Sequence, residues 1–87
     1  MDSRQLHAAV LSLLAESPVT RDEVRADVQE LVAAGEVELA FDTMCSWIFD
    51  DQLEIEHDHH VRLVALGEAL GDTTSAPRLS ELVRNHV

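Results

Sequence analysis

Three histidines, His57, His59 and His60, lie close together and are interleaved with Glu56 and Asp58. Imidazole and carboxylate are ordinary zinc ligands, and zinc takes about four of them converging in a tetrahedron. On a helix, His57 and His60 are three apart and share a face, while His59 points elsewhere. A closed site would need Cys45 or a distant carboxylate, and nothing in the spacing brings either one in. The segment reads instead as the solvated first turn of a helix, where Glu56 and Asp58 suit the positive end of the helix dipole. Cys45 falls on an apolar stripe, the usual place of a small buried hydrophobe. No metal and no cofactor are expected.

Catalytic patterns fare no better. The glycines Gly35, Gly67 and Gly71 are isolated, so no glycine-rich phosphate loop exists. No local Ser/His/Asp or Cys/His arrangement stands out, and a small helical chain has little room for a deep pocket. The chain is not expected to be an enzyme. An acyl carrier would need an Asp-Ser-Leu-type attachment site opening a helix. Here Asp2-Ser3 is followed by Arg4, and Asp42-Thr43-Met44 lies inside an apolar segment.

The carboxylates form the stronger signal. Seventeen Asp and Glu face six Arg and no Lys in 87 residues, a formal net charge of −11. Nucleic acid and anionic membrane surfaces carry phosphate charge that a partner must neutralise with cations, so neither is expected as a direct partner. No arginine falls between Arg25 and Arg62. Within that span Asp42, Asp50, Asp51, Glu54, Glu56 and Asp58 crowd together, and Trp47 lies beside them. Such a field attracts a cationic protein and speeds encounter, and an aromatic residue at its edge offers an anchor. These seven residues, Trp47 included, are the candidate partner-binding set.

The elements that must position them are helical. Leu6, Val10, Leu13 and Leu14 follow helix period from about Ser3 to Glu16, with Asp2 or Ser3 as the cap. Ser17-Pro18 ends this segment, because proline pushes its predecessor out of the helical region. Thr20-Arg21-Asp22-Glu23 reads as a capping box opening a second helix, with Val24, Val28, Leu31 and Val32 on its stripe and Gly35 as its stop. The third helix, Val37 to Asp51, has the widest apolar face: Val37, Ala40, Phe41, Met44, Cys45, Ile48 and Phe49. A fourth, Glu56 to Leu70, turns Val61, Leu63, Leu66 and Leu70 inward and stops at Gly71. Pro77 opens a last short helix in which Leu79, Leu82 and Val83 pack. No stretch alternates with strand period and none reaches about 18 apolar residues, the length of a membrane span. One cysteine and no basic-then-apolar leader fit a reducing compartment, so a cytoplasmic protein is expected. The fold class is all-α, a compact bundle of four to five short helices forming a single domain over residues 1–87.

The stretch Glu38-Leu39-Ala40-Phe41-Asp42-Thr43-Met44-Cys45-Ser46-Trp47-Ile48-Phe49-Asp50-Asp51, with Leu53 and Ile55 after it, resembles the MafI-like immunity proteins of bacterial polymorphic toxin systems. Leu63-Val64-Ala65-Leu66-Gly67-Glu68-Ala69-Leu70-Gly71 extends the likeness. The resemblance implies a small helical antidote that stays in the producing cell and neutralises a cognate toxin domain by stoichiometric binding. Many such toxins are nucleases, which must be basic to hold phosphate. It also implies Phe41, Met44, Cys45, Ile48, Leu66 and Leu70 as shared core, and Asp50 and Asp51 as exposed acids. The alternative from another class is a small acidic helical adaptor or regulatory module, homodimeric through the third helix.

Overall fold

A computed structural model describes residues 2–84. The first helix, α1, spans Ser3–Glu16. Asp2 caps it reciprocally: its carboxylate accepts from the Gln5 amide N–H, and the Gln5 side chain accepts from the Asp2 N–H. This satisfies two of the donors that a helix start leaves open. Helix α2 spans Asp22–Ala33 and α3 spans Val37–Asp50, with a tight turn at Gly35 between them. Gly35 sits at φ 82°, where a residue with a Cβ would be strained. Helix α4 spans His57–Leu70, and a 3₁₀ helix spans Pro77–Leu82. The all-α bundle expected of the sequence is the architecture observed. Among the described residues no helix is long and apolar enough to cross a membrane.

The core is aliphatic and centred on α3. Ala40, Phe41, Met44, Cys45 and Ile48 are all fully buried, against Val10, Leu14, Val24, Val28, Leu63 and Leu79 from the other elements. The accessible surface of 5210 Å² is close to the roughly 5,100 Å² expected for a folded monomer of this mass. One copy therefore closes its own core.

Three local expectations change. Helix α2 starts from Arg21 as its cap, with no side-chain hydrogen bond, so Thr20 is not the capping residue. Val19 is buried just before it and its carbonyl accepts from Arg25 Nε (2.8 Å), which holds the entry in extended form and delays the first turn. Val61 is 51% exposed rather than inward. It lies about 200° around the helix from Leu63, and both cannot face one core. The link after α3 carries a contact the sequence did not announce. Ile55 is buried and forms a parallel bridge with Val83, its N–H donating to Leu82 O (3.0 Å) and its carbonyl accepting from Arg84 N–H (2.8 Å).

Candidate functional site

The histidine cluster separates in three dimensions. His59 is 6% exposed, and its Nε2 lies 2.9 Å from the carbonyl oxygen of Leu13. A carbonyl can only accept, so Nε2 carries the proton, and Nδ1 is left buried with no partner. His59 thus caps a carbonyl that the end of α1 leaves open, and it does so from the start of α4. His60 Nε2 donates in the same way to Ala76 O at 2.9 Å, on the 3₁₀-helix side. His57 remains exposed. The solvated-turn reading holds for His57 and fails for His59, which ties two helices. Among the described residues no three His, Cys, Asp or Glu side chains converge as metal ligands do.

A concavity of about 740 Å³ beside this point is lined by Glu16, Glu56, His57, Asp58, Arg62 and Arg84, among others. Its charges are cross-linked. Arg62 pairs with Glu16, and Arg84 reaches Glu54 (2.6 Å) and Glu56 (2.8 Å). The Arg62 hydrogen bond holds the Glu16 carboxyl below its ordinary range. All these side chains are roughly half exposed, so solvent screens each pair and it adds little to stability.

The candidate partner-binding residues do not form one patch of equal standing. Asp42 and Asp50 are exposed on α3, and Asp58 is exposed on α4. Asp51, expected to be an exposed acid, is only 26% exposed and pairs with Arg21 at 3.2 Å. The same guanidinium lies over the Trp47 ring, 5.3 Å from its centroid. Trp47 is therefore half-buried in the seam between α2 and α3, under a cation. Phe49 is covered likewise by Arg78, at 4.6 Å. Glu54 and Glu56 share Arg84.

Asp42 belongs to a small polar cluster. The Ser75 hydroxyl is 2.6 Å from Asp72 Oδ2 and 3.0 Å from Asp42 Oδ1, and its single proton serves one of them at a time. Asp72 also accepts from the backbone N–H groups of Thr74 (3.1 Å) and Ser75 (2.9 Å). Burial raises the Asp72 pKa, but these hydrogen bonds together outweigh it and leave the carboxyl below its usual value. Burial, then the nearby Asp72 and Asp42 charges, push the Cys45 thiol up to about 12. This thiol is not a nucleophile at neutral pH.

What sequence reading missed is the outer face of α2. Glu23, Asp27 and Glu30 follow i, i+4, i+7 and share one stripe, a spacing visible in the sequence. With Asp22 on the same helix and Glu38 and Asp50 on α3, they make no ion pair among the described residues. Leu39, 50% exposed, lies between the acids Glu38 and Asp42 along α3. The nearby arginines are committed elsewhere, Arg21 to Asp51 and Trp47, Arg25 to the Val19 carbonyl. The α2–α3 hairpin thus carries exposed carboxylates that make no ion pair among the described residues, together with exposed Leu39. Such a surface has the charge to attract a cationic protein. No protein-family model, no curated protein and no solved structure matches this chain.

Proposed function

We propose that this protein is an immunity-type binding protein that neutralises a cognate basic toxin domain of the nuclease class by stoichiometric association in the cytoplasm of the producing cell. The observation that carries the reading is the segregation of unpaired carboxylates onto the α2–α3 hairpin. A chain with a formal charge of −11 accepts mutual repulsion within that hairpin, and the repulsion is relieved when a cationic surface docks. Leu39, exposed on α3, supplies an apolar contact, and Asp42 and Asp50 extend the field along α3. Asp51, Glu54 and Glu56 already have arginine partners, so they contribute less to attraction. Asp58 lies outside the hairpin, on α4 beside Glu16 and Arg62. The reading is of a binding protein and not an enzyme, and it rests also on the resemblance of α3 and α4 to the MafI-like immunity proteins.

The test is co-expression with the polymorphic-toxin domain encoded in the same genomic neighbourhood, scored by survival and co-purification. Exposed charges act over about 8 Å at physiological salt, so raising salt should slow association more than it speeds dissociation. Changing Glu23→Gln, Asp27→Asn and Glu30→Gln together keeps shape and removes three charges. It should lower the association rate and flatten its salt dependence, with helical circular dichroism unchanged. Full protection by this variant, with salt-independent association, would remove the hairpin from the mechanism.

A further inference from the structure

Arg21 is the occupant of a cation site that the end of α3 builds by itself. Its Nε lies 3.2 Å from Asp51 Oδ2, and its Cζ lies 5.3 Å from the centroid of the Trp47 ring. Trp47 and Asp51 are one helical turn apart. The Asp51 N–H donates to the Trp47 carbonyl at 3.0 Å, so α3 sets their spacing without help from Arg21. An aromatic face beside a carboxylate is the pairing that suits guanidinium: the planar cation lies on the ring and its N–H groups reach the carboxylate.

Arg21 comes from another element and is held loosely. Its side chain is 53% exposed, so solvent screens the ion pair. It stands at the N-cap of α2, yet no side-chain hydrogen bond caps that helix, so the start of α2 does not use the guanidinium. Carboxylates also outnumber cations here. Asp22 beside Arg21, and Asp50 beside Asp51, are exposed and make no ion pair among the described residues, and Arg25 is held on the Val19 carbonyl. With Asp22, Asp50 and Asp51 against Arg21, a second cation brings the site nearer to neutrality.

We propose that Trp47 and Asp51 form a receptor site for an arginine side chain of the basic protein partner, and that Arg21 is its resident stand-in, displaced when the partner docks. This rests on the reading of the hairpin as a cation-binding surface and gives that reading a short-range contact. The unpaired acids supply the long-range attraction. Asp51, neutralised by Arg21 until contact, adds little to that attraction and acts only once the two surfaces meet. Exchanging one guanidinium for another keeps both the stacked ring and the ion pair. Arginine is selected over lysine, whose ammonium is a point charge with no planar face to lay on the indole.

Tetra-arginine and tetra-lysine carry equal charge and test this on the full chain without any toxin. Trp47 is the one tryptophan and there is no tyrosine, so emission reports on this ring alone. Tetra-arginine should shift that emission saturably. By calorimetry it should bind about two- to fivefold more tightly than tetra-lysine, the margin of one exposed cation–π contact. Arg21→Ala removes the resident competitor and should widen the margin; a gain equal for both peptides is a charge effect alone and overturns the displacement. Asp51→Asn should close the margin. The Glu23→Gln, Asp27→Asn, Glu30→Gln protein should weaken both peptides alike and keep it. Equal affinity of the parent for the two peptides, or an Asp51→Asn protein that keeps the full margin, overturns the site and leaves the acidic-hairpin reading standing. Binding of neither peptide overturns both. A margin retained by a protein that gives no protection against the toxin domain refutes the immunity reading and keeps the site.

Discussion

The α2–α3 hairpin and the α1–α4 pair are built on opposite terms. The hairpin joins helices adjacent in sequence across a tight turn, packs them through a mostly aliphatic seam, and leaves its outer carboxylates without ion pairs among the described residues. The α1–α4 pair brings together segments 46 residues apart, tied by the His59–Leu13 hydrogen bond and the Arg62–Glu16 pair. Among the described residues it leaves fewer acids without ion pairs, Asp58 and Glu68 of α4. Where chain connectivity already fixes which helices meet, the seam needs no buried polar device, only the exposed Arg21, and the surface is free to carry charge. Where remote segments meet, a buried polar contact specifies the match, because misregistered partners leave a carbonyl and an imidazole unsatisfied. The difference therefore concerns how each contact is specified as much as what each face can bind.

The sharpest way to break this contrast is Phe41→Ala. The ring is fully buried on α3, and its edge lies against Gly67 of α4, where the two pairs of helices meet. Removing it should cost about 3–5 kcal/mol, most of the stability of so small a domain. Thermal melting by circular dichroism should show both halves lost in one transition. A hairpin that kept its helicity alone would mean two independent units.

Gly67→Ala comes next. A Cβ there would meet the Asp72 carbonyl oxygen at 2.6 Å and the Phe41 ring at 3.4 Å. Alanine favours a helix over glycine by about 1 kcal/mol, yet overpacking against backbone costs about 1–3 kcal/mol. A net loss in denaturant midpoint is expected, and a gain would show that the approach of α4 to the following loop relaxes easily.

A matched pair of substitutions then compares the two seams directly. His59→Ala strands the Leu13 carbonyl and should cost about 1–3 kcal/mol. Arg21→Ala removes a 53%-exposed side chain that stacks on Trp47 and pairs with Asp51, and should cost no more than about 1 kcal/mol. Chemical denaturation of both variants measures the contrast, and equal losses would abolish it.

The smallest effect is in acid. The folded Asp72 carboxyl sits below its ordinary 3.8, so its hydrogen bonds stabilise the fold above that value and the contribution fades as pH falls through the lower folded value. Asp72→Asn should remove that limb from the stability–pH curve, and an unchanged curve would mean the loop contacts are lost elsewhere.

Much of the architecture was legible because helix period and helix stops are local signals. Gly35 and Gly71 end α2 and α4 in the left-handed conformation their positions suggested, and Asp2 caps α1. Arg21 displaced Thr20 as cap because a buried Val19 and the Arg25 side chain hold the entry, a tertiary cause. His59 reads as surface by residue type, and its partner carbonyl is too remote to leave a local pattern. The candidate acids were partly legible. Their crowding is plain in the sequence, but which arginine neutralises which carboxylate depends on the fold, as Arg21 with Asp51 and Arg84 with Glu54 and Glu56 show.

The His59–Leu13 tie also has a kinetic meaning. Closing a loop costs an entropy that grows with about (3/2)RT ln n, so a contact spanning 46 residues forms later than the turn-linked hairpin. Contacts absent from the folding barrier act on the rate of unfolding and leave the rate of folding nearly untouched. In stopped-flow measurements His59→Ala should therefore steepen the loss of native protein without delaying its recovery. On that account the hydrogen bond between these two residues is expected to lengthen the life of the native state once reached.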